Sequence, residues 1–230
     1  MKTIGLIGGM SWESSAEYYR IVNEEVARRL GGMHSAQSLM FSVDFAEIEA
    51  LQHQDRWDEA TARMIDAARR LERGGADCVL LCTNTMHKIA DAVQRSIAVP
   101  LLHIADATGT RIHERGMTAV GLLGTRYTME QDFYRGRLRE KYGLEVLIPS
   151  AEDRQVVHEV IYGELVRGHI LPQSRQAYAL IIASLAAQGA QGIVLGCTEI
   201  MLLISQEDSP VPIFDTTTIH AQAAVDYALS

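Results

Sequence analysis

Two short segments of the chain carry side chains that could move a proton. "LCTNTMHK" spans residues 81–88, and "LGCTEIML" spans residues 195–202. Cys197 in the second segment offers a thiol, whose ordinary pKa of about 8.5 suits acid–base chemistry close to neutral pH. Thr83 in the first segment offers a hydroxyl, which does not titrate in that range and can only donate or relay a proton without help. The two segments therefore predict proton transfer by unequal partners.

The expected surroundings of the two groups differ as well. Cys197 lies at the start of a predicted helix, and a helix N-terminus favours the thiolate, so we expect its pKa to be lowered. Thr83 needs an assisting group if it is to act as a base. Glu199, His87 and Asp106 are candidates, and the spacing favours none of them. For His87 the favoured interpretation is a solvated or packing role on the helix that follows.

The residues that follow each of these strands suit an anionic ligand. Asn84 and Thr85 follow the first strand, and Thr198 and Glu199 follow the second. Backbone N–H groups at the start of a helix attract anions, and small polar side chains add donors. The same side chains can also cap the helices, and the two roles are compatible. By the same argument, the "GGMS" and "GTRYT" turns predict further residues at the rim of the site: Met10, Ser11, Thr125 and Tyr127.

The elements that must position these groups follow from the hydrophobic pattern. Apolar runs alternate with longer amphipathic stretches, which predicts an α/β fold with parallel sheets. The first helix should be capped near Ser11, Ser14 or Ser15. Strands are predicted at residues 3–9, 36–44, 76–83, 118–125, 144–150 and 190–198, and helices at residues 15–30, 57–75, 129–142 and 173–189.

The second half of the chain repeats the first. Thr83 and Cys197 then occupy equivalent positions at the ends of two strands, whereas Cys82 aligns with Gly196 and is expected to serve in packing. Three ordered anchors carry this alignment: Gly5 with Gly121 at an offset of 116, Gly75 with Gly189 at an offset of 114, and Val99 with Val211 at an offset of 112.

We therefore predict two pseudo-symmetric α/β domains, each built on a parallel sheet. Ligands of open α/β sheets bind outside the carboxyl ends of the strands, so the active site is expected in a cleft between the two domains. The first domain should comprise residues 1–100 plus 215–230, because the chain after Phe214 is expected to return as a final helix. The second domain should comprise residues 101–214.

Composition excludes several classes of partner. The chain has a net charge of −8 and no run rich in lysine or arginine, which argues against nucleic acid. No apolar run approaches the length of a membrane span, and the opening "MKTIGLIGGM" is interrupted too early for a signal peptide. We expect a cytoplasmic protein with three reduced cysteines, whose spacing predicts no zinc site.

Motifs of the common cofactor enzymes and hydrolases are missing. The only lysines are Lys2, Lys88 and Lys141, and no pyridoxal phosphate motif surrounds them. "GLIGGMS" lacks the spacing G-x-G-x-x-G, and the nucleophile elbow G-x-S-x-G does not occur. Proton chemistry without a cofactor or a metal is the remaining expectation.

Several segments together resemble the cofactor-independent aspartate/glutamate racemases, in particular the aspartate-racemase branch. The resemblance covers essentially the whole chain and implies two α/β domains related by pseudo-twofold symmetry, with an active site between them and a homodimeric assembly. The segments are "GLIGGMSWESSAEYY", "CTNTMHK", "HIADAT", "LLGTRYTMEQDFY" and "GCTEI".

The family pattern has two catalytic cysteines, one facing each side of the substrate α-carbon. One removes the α-proton, and the other delivers a proton to the opposite side. Cys197 matches one of these cysteines. Thr83 stands where the pattern has the other, directly before the Asn-Thr pair, and this is the main departure of the chain from the family.

The resemblance also implies roles for the neighbouring residues. Asn84, Thr85 and Thr198 match positions that hold the carboxylates and ammonium group of the substrate. Met10 lies in a loop that resembles the substrate-contacting loop. Gln52, in "EIEALQHQ", falls near a position that contacts the substrate side chain.

Together these observations predict an isomerase that racemises a small amino acid, aspartate or glutamate, by two-face proton transfer. Two alternatives stay open. One is another cysteine-dependent isomerase or decarboxylase of the same superfamily, such as a maleate isomerase, an arylmalonate decarboxylase or a hydantoin racemase. The other is a non-catalytic protein that binds acidic amino acids on a racemase scaffold.

Overall fold

A computed structural model describes all 230 residues, Met1–Ser230. The chain divides into two units, one comprising Met1–Ile104 and His220–Ser230 and the other Ala105–Ile219. Each unit contains a parallel sheet of four strands with helices packed against it. The prediction of an α/β fold with two parallel sheets is confirmed.

The sheet of the first unit has the strand order β2-β1-β3-β4. All five residues of β1 and all four of β3 are buried, as expected for inner parallel strands whose two faces are covered. The elements are β1 (Ile4–Gly8), α1 (Trp12–Leu30), β2 (Ser38–Ser42), α2 (Phe45–His53), α3 (Trp57–Arg73), β3 (Cys78–Leu81), a 3-10 helix (Thr85–Ile89), α4 (Ala90–Gln94) and β4 (Leu101–Leu102).

The sheet of the second unit has the equivalent order β6-β5-β7-β8. Helices α5 and α11 contain the two points at which the chain passes from one unit to the other. The elements are α5 (Ile104–His113), β5 (Ala119–Gly124), α6 (Arg126–Glu130), α7 (Asp132–Tyr142), β6 (Glu145–Leu147), α8 (Ala151–Gly163), α9 (Pro172–Ala187), β7 (Ile193–Gly196), α10 (Ile200–Leu203), β8 (Ile213–Asp215) and α11 (Thr216–Leu229), with short 3-10 helices at Leu165–Arg167 and Gln206–Asp208.

The strand register reproduces the internal repeat. Gly5 of β1 pairs with Val79 of β3, and Gly121 of β5 pairs with Ile193 of β7. These pairs have the offsets of 116 and 114 that the sequence alignment predicts. The pairing of β3 with β4 and of β7 with β8 continues the same alignment. The duplication is therefore confirmed at the level of individual hydrogen-bonded partners.

This register defines the equivalence of the two chemically interesting strand ends. Thr83 and Cys197 each lie two residues beyond a strand residue, Leu81 and Leu195, that pairs with the neighbouring inner strand. Cys82 and Gly196 are equivalent in the same way. The predicted correspondence between hydroxyl and thiol therefore follows directly from the ladder.

Several element boundaries differ from the prediction. The helix predicted at residues 129–142 is two helices, α6 and α7, because Gln131 adopts an extended conformation between them. The strand predicted at residues 36–44 is shorter, because Asp44 accepts a hydrogen bond from the Ala46 N–H and caps α2, which was not predicted. Helix α8 was not predicted either. Helix α1 begins at Trp12, with Ser11 as its cap.

Each unit has its own buried apolar cluster. In the first unit, residues of α2, α3 and the strands β1 and β3 pack together, and Met10 and Met86 belong to this cluster. In the second unit, residues of α8, α9, β5 and β7 pack together, and the cluster includes Cys197. The strand ends that carry the candidate groups are thus anchored in the cores. None of the helices combines the length and the apolar composition that crossing a bilayer requires.

Candidate active site

The first-unit strand end consists of residues 82–85, directly after β3. Thr83, Asn84 and Thr85 are all buried, with 9%, 2% and 5% of their surface exposed. The helix that follows is a 3-10 helix of five residues rather than a long α-helix. The dipole at its N-terminus is therefore weaker than that of the helix predicted from the sequence.

The predicted rim residues of the first unit lie close to the same sheet edge. Met10 and Ser11 follow β1, the strand that pairs with β3, and both are buried. The Ser11 carbonyl accepts a hydrogen bond from the Ser15 hydroxyl at 2.7 Å, which ties the turn to α1. Gln52 on α2 is buried, and its Nε2 lies 3.1 Å from the sulfur of Met86. The structure therefore brings Gln52 to the segment that follows Thr83.

His87 is buried rather than solvated, and it contacts the backbone of Thr83. Its Nδ1 lies 2.8 Å from the Thr83 carbonyl oxygen, and its Nε2 accepts a hydrogen bond from the N–H of Ile104 at 3.1 Å. It does not reach the Thr83 hydroxyl through either of these contacts. Lys88, the next residue, is half-buried and places its ammonium 3.9 Å from the centre of the Trp57 ring.

The second-unit strand end consists of residues 196–199, directly after β7. Cys197, Thr198 and Glu199 are all buried, with 7%, 2% and 2% of their surface exposed. The Cys197 thiol donates to Oε2 of Glu199, with a sulfur–oxygen distance of 2.9 Å. The Thr198 hydroxyl donates to the same oxygen at 3.0 Å. One carboxylate oxygen therefore accepts both neighbouring side-chain protons.

The expectation of a lowered Cys197 pKa is wrong. Burial raises the pKa of this thiol well above its usual range, and the Glu199 carboxylate raises it further through its charge and its hydrogen bond. Backbone N–H groups of Thr198 and Glu199 act in the opposite direction and do not prevail. Helix α10 has only four residues, so its N-terminus offers little dipole to compensate. At neutral pH the resting group is the thiol, with its proton directed at Glu199.

The remaining predicted residues also lie in the second unit. Thr125 follows β5, the partner strand of β7, and caps α6 by accepting from the N–H of Thr128 at 3.3 Å. Tyr127 is half-buried on α6. Asp106, a candidate assistant of Thr83, makes a two-point ion pair with Arg137 at 2.6 and 2.8 Å. That carboxylate is therefore engaged within its own unit.

The structure thus assembles two groups of candidate residues, one in each unit. Met10, Ser11, Gln52 and the segment 83–85 lie at the carboxyl edge of the first sheet, and Thr125 with the segment 197–199 lies at the carboxyl edge of the second. No cluster of three or more histidine, cysteine, aspartate or glutamate side chains is placed to hold a metal ion. The chemistry on offer is a thiol–carboxylate pair in one unit and a hydroxyl in the other.

Comparison with known proteins agrees with this picture. The family model of the Asp/Glu/hydantoin racemases matches residues 7–224. The broad specificity amino-acid racemase RacX of Bacillus subtilis is 27% identical over 99% of this chain and 98% of its own length. A crystal structure from Yersinia pestis, provisionally assigned as an Asp/Glu racemase, is 55% identical with a TM-score of 0.93. The aspartate racemase homologue from Pyrococcus horikoshii is 35% identical with a TM-score of 0.86, and both structures match over the full length of both chains.

These matches define the class of the protein as an isomerase of the racemase type. The chain belongs to the Asp/Glu/hydantoin racemase family.

Proposed function

We propose that the protein racemises aspartate or glutamate without a cofactor, with Cys197 and Thr83 acting on opposite faces of the α-carbon. The observation that carries this proposal is the buried Cys197 thiol, hydrogen-bonded to Glu199 at the end of β7. A site that only binds an amino acid has no need of a thiol paired with a carboxylate. Membership of a racemase family supports the same reaction class.

The first step concerns the proton of Cys197. Because the raised pKa keeps the thiol protonated at rest, the thiol must lose its proton before it can act as a base. Glu199 Oε2 lies 2.9 Å from the sulfur and is the group placed to receive that proton. The thiolate then removes the α-proton from the face that it meets. Glu199 is therefore assigned a role in proton transfer as well as its predicted place among the substrate-binding residues.

The second step concerns Thr83. The carbanion formed at the α-carbon takes a proton from the Thr83 hydroxyl on the other face, which completes the inversion. The hydroxyl then regains a proton from water, and the proton that Glu199 took up returns to solvent. Cys197 keeps the proton taken from the substrate and is again the resting thiol hydrogen-bonded to a carboxylate. A hydroxyl is a weak acid and a far weaker base. The direction in which Cys197 starts the reaction should therefore have the larger kcat. Because the two enantiomers have equal free energies, kcat/KM must be the same in both directions, so KM should be larger in the same proportion.

The substrate would be held by the buried polar groups around the two strand ends. We assign Asn84, Thr85 and Thr198 to the carboxylates and the ammonium group of the substrate. Exclusion of water at these buried positions would strengthen such contacts and favour the developing charge. The other residues placed in the binding site are Met10, Ser11, Gln52 and Thr125.

Proton exchange in ²H₂O tests the proposal. The protein is incubated separately with the L and D forms of aspartate and glutamate, and with neutral amino acids because RacX is named for its broad specificity. NMR follows loss of the α-proton, and chiral chromatography follows inversion. We expect exchange with inversion, and unequal kcat values for the two enantiomers at saturating substrate. Binding without exchange for every substrate would instead identify a non-catalytic amino-acid binding protein.

We also propose that the protein is a cytoplasmic homodimer. The dimer rests on the family resemblance alone. The location rests on the chemistry, because a catalytic thiol needs a reducing compartment and all three cysteines are unpaired. Sedimentation equilibrium tests the dimer, and fractionation of cells that express the untagged chain tests the location.

A further inference from the structure

His87 is a buried imidazole that touches the backbone of a proposed catalytic residue. Its side chain is 3% exposed, and both ring nitrogens make hydrogen bonds. The N–H of Ile104 can only donate, so Nε2 of His87 must be the acceptor. The proton of the neutral ring therefore lies on Nδ1, which donates to the Thr83 carbonyl oxygen at 2.8 Å.

Neighbouring rings fix the orientation of this imidazole. The His103 ring packs edge-on against it with 4.5 Å between centroids, and the His220 ring does so at 5.7 Å. His220 is itself held by the Tyr18 hydroxyl at its Nδ1 and by the Leu102 carbonyl at its Nε2, both at 2.8 Å. The His87 ring is thereby flanked by two rings of its own unit, and one of them, His220, is itself held by two hydrogen bonds.

We propose that His87 is a positioning residue of the racemisation reaction, an inference that rests on the proposed function. By binding the carbonyl of Thr83, it fixes the peptide unit between Thr83 and Asn84. That peptide sets the direction of the Thr83 side chain on one side and of the Asn84 N–H on the other. A hydrogen bond to the carbonyl also polarises the peptide, which makes the Asn84 N–H a better donor.

The geometry separates this role from acid–base catalysis. Neither nitrogen of His87 is available to exchange a proton with a substrate, because one serves Thr83 and the other serves Ile104. His87 therefore acts through Thr83. Errors of about 1 Å in the placement of a reacting group can reduce a rate roughly 100-fold, so a positioning role is measurable.

Two substitutions separate the two hydrogen bonds. In His87→Asn, the side-chain amide nitrogen takes the place of Nδ1 and keeps the donor to Thr83, while the contact to Ile104 is lost. In His87→Gln, the amide oxygen takes the place of Nε2 and keeps the acceptor for Ile104, while the donor to Thr83 is lost. Positioning of Thr83 therefore predicts opposite outcomes for two variants of similar size and polarity.

The expected readout is the ratio of inversion to exchange in ²H₂O. In His87→Gln, the kcat for inversion should fall about 10- to 100-fold with KM changed less, because Thr83 is misplaced. Exchange on the face served by Cys197 should stay within about threefold of the wild type. His87→Asn should recover most of the inversion rate. A purely structural role would lower exchange and inversion together, in both variants, in proportion to the loss of folded protein.

Controls distinguish the possible failures. His34→Gln, at an exposed position of the same unit, should leave both rates and the melting temperature unchanged. If neither His87 variant folds, the ¹⁵N chemical shifts of the wild-type ring decide the question, because a ring protonated on Nε2 would overturn the assignment. If the wild type inverts its substrate and His87→Gln does so at the full rate, the positioning role of His87 is refuted and the proposed function still stands. Absence of exchange in the wild type would instead refute the proposed function, and the positioning role with it.

Discussion

The ends of β3 and β7 occupy equivalent positions in their sheets and differ in chemistry. The strand ladders place Thr83 and Cys197 in the same register, each beyond a buried strand. At the end of β7, a thiol shares its proton with a carboxylate 2.9 Å away. At the end of β3, Thr83 offers a hydroxyl that does not titrate, and its backbone carbonyl accepts a hydrogen bond from the neutral imidazole of His87. The internal repeat thus reproduces the position of the side chain at the strand end, but not its chemistry.

This contrast assigns the two ends different tasks. The end of β7 holds an ionisable pair, so it can gain or lose a proton before substrate chemistry begins. The end of β3 holds the Thr83 hydroxyl, which can deliver a proton to the substrate only if it points in the right direction. Changes at the end of β7 should therefore alter whether a proton moves at all, whereas changes at the end of β3 should alter the kcat from one enantiomer relative to the kcat from the other.

The largest effect is expected from removing the ionisable sulfur. Cys197→Ser is nearly isosteric, but a serine hydroxyl does not titrate in the working range, so both exchange and inversion should fall by about 10³-fold or more. The measurement is α-proton exchange in ²H₂O from each enantiomer. Circular dichroism establishes that the variant is folded. Retention of most of the activity would show that Cys197 is not the base.

The next effect tests the partner of the thiol. In Glu199→Gln, the negative charge that helps to raise the Cys197 pKa is gone, so the thiol should titrate at lower pH than in the wild type, though burial still raises its pKa. Racemisation should nevertheless fall about 100-fold, because the amide cannot take up the proton.

Alkylation by iodoacetamide across a range of pH, with peptide mapping to isolate Cys197, measures this titration. In the wild type, the raised pKa means that the thiolate forms only at high pH, so the alkylation rate should rise at a higher pH than for a free thiol. In Glu199→Gln, the rise should move to lower pH. Faster racemisation by this variant would show that Glu199 only suppresses the thiolate and plays no part in proton transfer.

Much of this arrangement follows from sequence alone, and the reasons are physical. The fold can be predicted from apolar strands that are covered on both faces. The equivalence of the strand ends can be predicted from the offsets between Gly5 and Gly121 and between Gly75 and Gly189. The Cys197 pKa was wrongly predicted, because it depends on burial and on the length of α10, and neither is visible in the motif "GCTEI".

Local spacing also conceals contacts between segments that are distant in the chain. His87 lies four residues after Thr83, so its contact with that carbonyl could have been anticipated from a helical turn. Its second contact, with Ile104, requires the end of β4 to return beside β3, and only the folded sheet reveals it. The split between α6 and α7 likewise turns on one extended residue, Gln131.

A smaller effect is expected from making the two ends alike. Thr83→Cys gives the end of β3 a thiol, so the ratio of the kcat values from the L and D enantiomers should move towards one, by about tenfold relative to the wild type. Thr83→Ser is the matched control, because it keeps a hydroxyl and should keep the unequal kcat values. Initial rates from each pure enantiomer at saturating concentration, followed by chiral chromatography, measure the ratio. Equal kcat values from the two enantiomers in the wild type would contradict the assigned asymmetry.

The smallest effect concerns the position directly before Thr83. Gly196, the equivalent of Cys82, is confined by its neighbours, because a Cβ there would lie 2.9 Å from the Leu123 carbonyl oxygen. Cys82 instead fills space in the first unit, where it is fully buried and burial raises its pKa far above its usual range. Its thiol is therefore protonated at any working pH, and we assign it to packing.

Cys82→Ala should accordingly lower the free energy of unfolding by about 1 kcal/mol and leave both rates nearly unchanged. For a chain of this size, that loss corresponds to a fall of about 2–4 °C in the melting temperature, which differential scanning calorimetry resolves. Cys78→Ala, at the buried thiol that begins β3, should behave in the same way. A loss of inversion in Cys82→Ala, with Cys78→Ala unaffected, would mean that the thiol beside Thr83 supplies the second proton, and that the two strand ends are chemically more alike than their aligned residues indicate.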